Sequence, residues 1–422
     1  MREMKKTGIE WLPEISKDFS VGYVKQYFNI SKDLSNEGEP ERVLKLARSG
    51  IVEKDVTMNE GQMAASYSGY NKVLVGDLVL NPMDLYSGAN CNVSELDGVI
   101  SPAYSNLRAK KAQTVVPKFY DYYFKTQYWL MAMFAHGKGV SFDNRWTLNN
   151  DSLRSYEIPV LPYLSQKRIV KKVHSEEQKV DALIANQQAQ IEKLKAYKQS
   201  LITETVTLGL NPDVPMKDSG VEWIGRIPAH WKVKRGKALF IETDARSVDG
   251  TEELLTVSQY TGITPRSQKN VNMFESLTLE GYKICEIGDI AANTMWLWAG
   301  AIGVSEYRGV ISPSYNVYRQ ISENYIPSYL DNLLRAPMLV QEYASRSTGI
   351  RASRLRLYPK DFMNIMFPVP PIEEQKDIMR VLKEKFTKVD KLIDIKQAKI
   401  EKLEQYKKSL IYEYVTGKKE AI

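Results

Sequence analysis

The sequence has only two cysteines, Cys91 and Cys285, and three histidines, His136, His174 and His230, scattered along 422 residues. Two thiols cannot build a disulfide framework, and so few dispersed Cys and His ligands argue against a zinc centre. Long apolar runs are missing as well. No stretch of eighteen or more apolar residues occurs, and the opening MREMKKTGIEWLP has neither the apolar core nor the small-residue cleavage site of a secretory signal. The expectation is a cytoplasmic protein without membrane association. No glycine-rich cofactor loop and no Walker-type phosphate loop is found. Nothing in the chain supports oxidoreductase or hydrolase chemistry.

With 43% hydrophobic and 26% charged residues, the chain is of globular composition and long enough for two or three domains. The net charge of +7 is compatible with a nucleic-acid partner without requiring one.

What the sequence does have is a repeat, which must be found before the fold is read. The phrase IEKLKAYKQSLI, from Ile191 to Ile202, returns as IEKLEQYKKSLI, from Ile400 to Ile411, with nine of twelve positions identical. A shift of 212 lays GIEWLPEI (Gly8 to Ile15) on GVEWIGRI (Gly220 to Ile227). It also aligns Gly50-Ile51 with Gly262-Ile263, Tyr70 with Tyr282, Gly76-Asp77 with Gly288-Asp289, Asn81 with Asn293 and Gly88-Ala89 with Gly300-Ala301. The shift then slips to 211, so that GVISPAY (Gly98 to Tyr104) meets GVISPSY (Gly309 to Tyr315), and to 209 at the twelve-residue phrase.

Both halves follow one order. Short apolar runs such as KVLVGDLVL and YKICEIGDIAAN, broken by Gly, Asn and Pro, predict strands and turns. A helix packed on those strands is expected in PKFYDYYFKTQYWLMAMFAH and in PSYLDNLLRAPMLVQEYA, the latter interrupted by Pro337. A proline signal, IPVLP or FPVPP, then introduces a long helix. Its apolar stripe runs through Ile169, Val173, Val180, Ile184, Ile191, Leu194, Leu201 and Val206, and in the second copy through Ile378, Leu382, Val389, Ile393, Ile400, Leu403, Leu410 and Val415. Pro371 suits the first helical turn, where Glu373 and Glu374 complement the helix dipole.

A helix of about 44 residues reaches roughly 65 Å, too long for one domain core to absorb. The two striped helices are therefore expected to pair as an antiparallel coiled coil, with a head at each end and a pseudo-twofold axis between them. The predicted class is α+β. The expected parts are a first globular domain over 1–160, a long helix over 161–208, a linker over 209–219, a second globular domain over 220–369, a second long helix over 370–417 and a tail over 418–422.

Similar heads at a fixed separation suit a target of matching symmetry such as duplex DNA, whose groove faces recur about every 34 Å. Several motifs carry a family resemblance: Trp223, Ile224, Gly225, Ile227, Pro228 and Trp231 at the start of the second half; Gly288-Asp289; Ser312, Pro313 and Tyr315; and Pro370, Pro371, Glu374 and Gln375 at the helix entry. Together, and in order over nearly the whole chain, they resemble the DNA specificity subunit of type I restriction-modification systems. The first half departs from this pattern at Pro13, Ser16 and Phe19, and LPYLSQ (Leu161 to Gln166) stands in place of PPIEEQ.

The resemblance implies a non-catalytic reader of duplex DNA, with two target-recognition domains that each recognise a half-site and helices that set the gap. Two adenine methyltransferase subunits would dock on it, a nuclease and translocase subunit would join in the full complex, and S-adenosylmethionine would sit on the methyltransferase. The chain itself needs no cofactor or metal. In agreement, no Asn-Pro-Pro-Tyr or Asp-Pro-Pro-Tyr tetrad occurs; NPMD (Asn81 to Asp84) fails at its third position. Two other readings stay open: a coiled-coil adaptor whose heads bind protein, and the detached specificity part of a methyltransferase-nuclease enzyme.

Base reading calls for Arg, Lys, Asn or Gln on exposed loops, with phosphate contacts holding register. The candidates are Arg346, Arg351, Arg354 and Arg356 in SRSTGIRASRLR, and Lys138, Ser141, Asn144 and Arg145 in HGKGVSFDNRW. A second pair of loops offers Arg266, Gln268 and Lys269, and Arg48 and Lys54. Arg108, Lys110 and Lys111 are better suited to phosphates. The alternative for each loop is a solvated basic turn. Phe119 to Trp129 is expected in the core, and Trp296 and Trp298 are expected as core and edge packing of a strand, with base stacking as the alternative. Asn81 and Asn293 are expected to cap backbone, and His136, beside a basic loop, is the one histidine worth testing.

Overall fold

The computed structural model describes residues 3–31, 33, 42–47, 49–55, 66–83, 85, 91–139, 146–269, 278–349 and 355–421. It is a mixed α+β protein in which two long helices, Tyr163–Leu208 and Ile372–Val415, pack together alongside β-rich parts. Among the described residues no helix is long and apolar enough to cross a membrane. The chain forms two compact units, and neither is one continuous segment. The first joins 1–188 to 397–422, and the second is 189–396. Both dividing points fall inside the long helices, so each unit holds one β-rich part and a portion of each helix.

In the first unit a four-stranded antiparallel sheet has the order Phe28–Ser31, Ser105–Ala109, Leu78–Leu80, Cys91–Val93. In the second the order is Phe240–Thr243, Asn316–Gln320, Ile290–Ala292, Ile302–Val304. The register repeats as well: Leu80 opposes Ser105, and the corresponding Ala292 opposes Asn316. The apolar runs read as strands do form strands, split by a turn at each Gly-Asp pair.

The aromatic segment forms the helix Pro117–Trp129, with Phe119, Tyr120, Tyr122, Tyr123, Phe124 and Tyr128 buried as expected. It does not continue to His136. Met131 adopts the left-handed conformation (φ 59°), and only a short turn, Ala132–Ala135, follows. The second half breaks where its proline predicts, into Pro327–Leu334 and Pro337–Arg346.

The long helices pack antiparallel inside each unit. In the first unit Lys407 Nζ lies 2.8 Å from Asp181; in the second Lys198 Nζ lies 2.7 Å from Asp390. Lys198 and Lys407 occupy one position of the repeated phrase, and Asp181 and Asp390 are repeat equivalents too. Stripe residues Val173, Val180, Ile191, Leu201, Leu382, Val389, Ile400 and Leu410 are buried, while Ile184, Leu194, Ile393 and Leu403 are half-buried.

The long helices also enter the core of each unit. Ile169, Val173, Leu410, Ile411, Tyr414 and Val415 belong to one continuous core with Phe119, Tyr123 and Phe124. Leu201, Val206, Ile378 and Leu382 do the same with Tyr329, Leu333 and Phe367.

A buried glutamine fixes each long helix at its start. Gln166 Oε1 accepts from the Val116 N–H (2.7 Å), while Nε2 donates to the carbonyls of Thr114 and Leu161. Gln375 repeats all three bonds with Ile326 N–H (2.9 Å), Asn324 O and Pro370 O. Both side chains are fully buried. LPYLSQ and PPIEEQ thus share the one residue whose bonds matter here.

The far ends of the helices also match. Gly209 and Gly417 both have φ +75°, the left-handed conformation that closes a helix C-terminus. A Cβ on Gly417 would fall 2.6 Å from Ser16 and 2.8 Å from Phe19; one on Gly209 would fall 2.8 Å from Glu374 and 3.4 Å from Trp231. Phe19 and Trp231 are both buried, so the smaller ring in the first half fills the same role.

Gln375→Ala would leave one buried N–H and two carbonyls unpaired, at about 1–3 kcal/mol for each group that cannot recover water. A loss of about 2–4 kcal/mol in urea unfolding is expected, with Gln166→Ala similar and the two nearly additive because they lie in different units. A loss below about 0.5 kcal/mol would show that the brackets are dispensable.

Candidate nucleic-acid interface

Two loops on equivalent positions carry half of the sequence candidates. Each is closed at its base by the same reciprocal pair of backbone hydrogen bonds. In the first unit Lys138 and Thr147 exchange bonds of 2.9 and 3.0 Å; in the second Thr348 and Arg356 exchange two of 2.9 Å. Lys138 and Arg356 are exposed at these bases. Ser141, Asn144, Arg145, Arg351 and Arg354 lie outside the described residues, as does Arg48.

The bases are rigidly built. Trp146 Nε1 donates to Phe134 O (2.7 Å), and the Leu148 N–H donates to Pro82 O (2.9 Å), tying the first loop to the turn after strand Leu78–Leu80. Arg346 ends helix Pro337–Arg346 and is held there by Glu342 at 2.6 Å. His136 is a packing residue. Its ring lies edge-on to Trp11 at 4.2 Å and to Tyr156 at 5.5 Å, and its buried Nε2 has no hydrogen-bond partner among the described residues.

The second set of loops differs in form. Arg266 and Gln268 lie in a 3-10 turn, Arg266–Gln268, that follows the hairpin Leu255–Ser258 and Gly262–Pro265. Lys269 closes that turn through its N–H to Arg266 O. Partial burial, with Arg266 beside it, lowers the pKa of the Lys269 ammonium. Lys54 follows the equivalent hairpin Leu44–Ala47 and Gly50–Glu53, and its N–H is bonded to Val43 O.

Arg108 has a different occupation from the one its sequence suggests. Its Nε and Nη2 hold buried Asp77 at 2.9 and 2.7 Å, and Asn106 Nδ2 adds a third bond. Asp77 in turn accepts from the Leu74 N–H and so fixes the Gly-Asp turn. The second unit repeats this with Arg319 on Asp289, two bonds of 2.7 Å, and the Glu286 N–H on Asp289. Bonding to these carboxylates raises the pKa of both guanidinium groups. Basic composition singles out Arg108 but not its tie to Asp77, and it passes over Arg319, Gln166 and Gln375. The signal that could have found the tie is the recurrence of Asp and Arg at matched repeat positions. Lys110 Nζ donates to Lys25 O, and Lys111 is exposed.

Asn81 and Asn293 do cap backbone, accepting from the Met83 and Met295 N–H groups at 3.0 and 3.2 Å. Trp296 and Trp298 are not alternating residues of a strand. They flank the start of a 3-10 turn, Leu297–Ala299, with rings stacked at 5.7 Å and 27°. Burial pushes the Cys91 thiol far above its usual range and that of Cys285 up to about 12, so both are unreactive at neutral pH.

No family model matches the chain. It is 22% identical over 388 residues to the Type I restriction enzyme MjaVIII specificity subunit of Methanocaldococcus jannaschii, covering 87% of this chain and 81% of that protein. It is 25% identical over 290 residues to the putative MjaX specificity subunit of the same organism, covering 65% of this chain and 62% of that one. Among solved structures it is similar to a chain from work on complex assembly and conformational transition of the type I restriction-modification system. The TM-score is 0.63 at 15% identity, over 95% of this chain and 98% of the other.

Arg319→Ala would strand the buried Asp289 carboxylate. It is expected to lower stability by about 1–3 kcal/mol in urea unfolding, less than for a fully buried pair because Arg319 is half exposed. The exposed Lys138→Ala should leave the midpoint in place. Equal midpoints for the two variants would remove the framing role.

Proposed function

We infer that this chain, which belongs to the family of type I restriction-modification specificity subunits, binds duplex DNA and directs methyltransferase subunits to a target read in two parts. The observation that carries this reading is that two units of the same frame carry loops of unlike sequence closed at their bases by the same backbone pair. Reading two different half-sites requires a shared scaffold with dissimilar contact loops. The target is accordingly bipartite and asymmetric.

Lys138, Ser141, Asn144 and Arg145 would contact one half-site, and Arg346, Arg351, Arg354 and Arg356 the other. Arg266, Gln268, Lys269, Arg48 and Lys54 would add flanking contacts, and Lys110 and Lys111 would meet phosphates. Phosphate contacts give affinity that falls with salt, whereas forked Arg and amide donors discriminate bases at about 1–3 kcal/mol per good bidentate pair. The chain itself is non-catalytic. Methyl transfer and S-adenosylmethionine belong to the docked adenine methyltransferase subunits, which a nuclease and translocase subunit would join.

Docking has a natural place on the long helices. Leu183 and Tyr406 in the first unit, and Leu392 and Tyr197 in the second, are each about half exposed. Leu183 and Leu392 are repeat equivalents, as are Tyr197 and Tyr406. Two equivalent apolar pairs suit two copies of one partner. Leu183→Lys or Leu392→Lys should each cost one methyltransferase in a mass measurement of the assembled complex, and the double variant should cost both. Two bound copies on the double variant would place docking elsewhere.

Long-read methylation mapping of cells expressing the chain with and without its methyltransferase tests the main reading. An adenine motif in two parts, present only when both are expressed, is expected; a motif independent of this chain would refute it. Deleting one heptad from each helix, 185–191 and 394–400, removes about 10 Å of helix. It should shorten the gap by about three base pairs and leave both half-sites intact. An unchanged gap would refute the spacing role.

A further inference from the structure

We propose that Trp296, propped on Trp298, is a DNA-contacting aromatic of the second unit that stacks on a base opened from the duplex at its half-site. This rests on the reading that the chain binds duplex DNA. Of the seven tryptophans, Trp296 alone is strongly exposed, at 48%, and Met295 beside it is exposed at 40%. Packed on Trp298 on one side, the indole leaves about half of its surface in water, and base faces are a partner of matching size and chemistry for it.

The ring is held ready. The Trp296 N–H donates to Asn293 O (2.9 Å), and Trp296 O accepts from the Ala299 and Ala301 N–H groups at 3.0 and 3.1 Å. Asn293 is itself fixed, its Nδ2 donating to Tyr315 Oη at 2.9 Å, and Thr294 Oγ1 donates to Ser314 O at 2.8 Å. Trp298 is anchored by its Nε1 to Met295 O at 2.9 Å, and its ring backs that of Trp296. By contrast, Trp296 Nε1 has no hydrogen-bond partner among the described residues. Ordering on binding therefore costs little.

Its place in the fold connects it to the arginine-rich loop. The turn Leu297–Ala299 packs on helix Pro337–Arg346, with Gly300 against Val340, and that helix ends on Arg346. The first unit shows the same neighbourhood directly, because Pro82 in the equivalent turn is bonded to Leu148 at the base of the Lys138 loop. The feature belongs to one half only. The repeat counterparts of Trp296 and Trp298 are Asp84 and Tyr86, and a carboxylate is repelled by phosphates. An intact duplex hides its base faces, so the contact requires an opened step, as apolar wedges produce in other DNA complexes.

The test uses the full chain assembled with its methyltransferase and a pool of random duplexes of about 50 base pairs. A selected duplex is then labelled with 2-aminopurine at successive positions. Trp296→Ala is expected to bind about ten- to a hundredfold more weakly, with the selection narrowed to the half-site of the first unit. The 2-aminopurine signal that rises at one position of the other half-site with the unaltered complex should be lost. Trp296→Phe should keep both binding and signal. Should Trp296→Ala fail to fold, Trp296→Leu compared with Trp296→Phe decides, because leucine keeps the apolar volume without the stacking face. Binding by the Ala or Leu variant within twofold of the unaltered complex, with no position-specific signal, overturns the proposal and leaves the DNA reading intact. If the unaltered complex selects no duplex from the pool, both fall together.

Discussion

The antiparallel pairing of the two long helices is the constraint on which everything else depends. Neither compact unit is made from a single stretch of chain, and the first cannot close until residues 397–422 return to it. Val415 and Tyr414 then enter the same core as Phe119 and Tyr123, and the Ser16 N–H finds its acceptor on Thr416. The second unit is likewise closed by the end of the first long helix, where Tyr329 Oη donates to Val206 O at 2.9 Å. Half of the repeat is therefore not a folding unit. Each head borrows the terminal turns of the helix that follows the other head, which is why the twelve-residue phrase has to recur with its pairing lysine in place.

That lysine illustrates what the sequence shows and what it hides. The spacing of Ile191, Leu194 and Leu201 is enough to predict a helix and its buried stripe, and two long helices do pack together. Heptad spacing does not reveal which polar residue faces the partner helix. Lys198 and Lys407 look like any other charged residue on a solvated face, yet they are the ones that reach Asp390 and Asp181. The head was legible as strands and turns because Gly-Asp and Ser-Pro punctuate it. Its sheet order was not, because strands of three to five residues carry too little alternation to specify their neighbours. The break at Met131 was invisible, since nothing local marks a non-glycine residue for the left-handed conformation.

Unusual composition directs attention to basic loops, whereas the structural ties of ordinary-looking residues stay hidden in the sequence. An arginine-rich stretch attracts attention, but Arg108 and Arg319 sit in unremarkable strands and have a structural task. A buried carboxylate such as Asp77 or Asp289 must have donors at hand, and the neighbouring strand supplies a forked one. Gln166 and Gln375 are less conspicuous still. One amide satisfies an N–H and two carbonyls that meet where a helix, a strand end and a loop converge, which no apolar side chain of similar size could do. In both cases the informative signal was positional identity between two otherwise divergent halves.

On the proposed reading, this contrast is what lets one frame carry two different recognition surfaces. The residues that match between halves, Gln166 with Gln375, Asp77 with Asp289 and Arg108 with Arg319, are those whose loss would strand buried polar groups. Among the residues that differ, Lys138 and Thr348 close their loops through backbone hydrogen bonds, and Trp296, which replaces Asp84 of the first half in sequence, lies on a turn fixed by an asparagine cap. Those closures use main-chain atoms and a single cap, so the side chains beyond them contribute little to stability and can change without disturbing the core. On the proposed reading, stability and recognition fall on separate atoms. A half-site reader could then be altered through its loops while the helix pairing within each unit stays as it is.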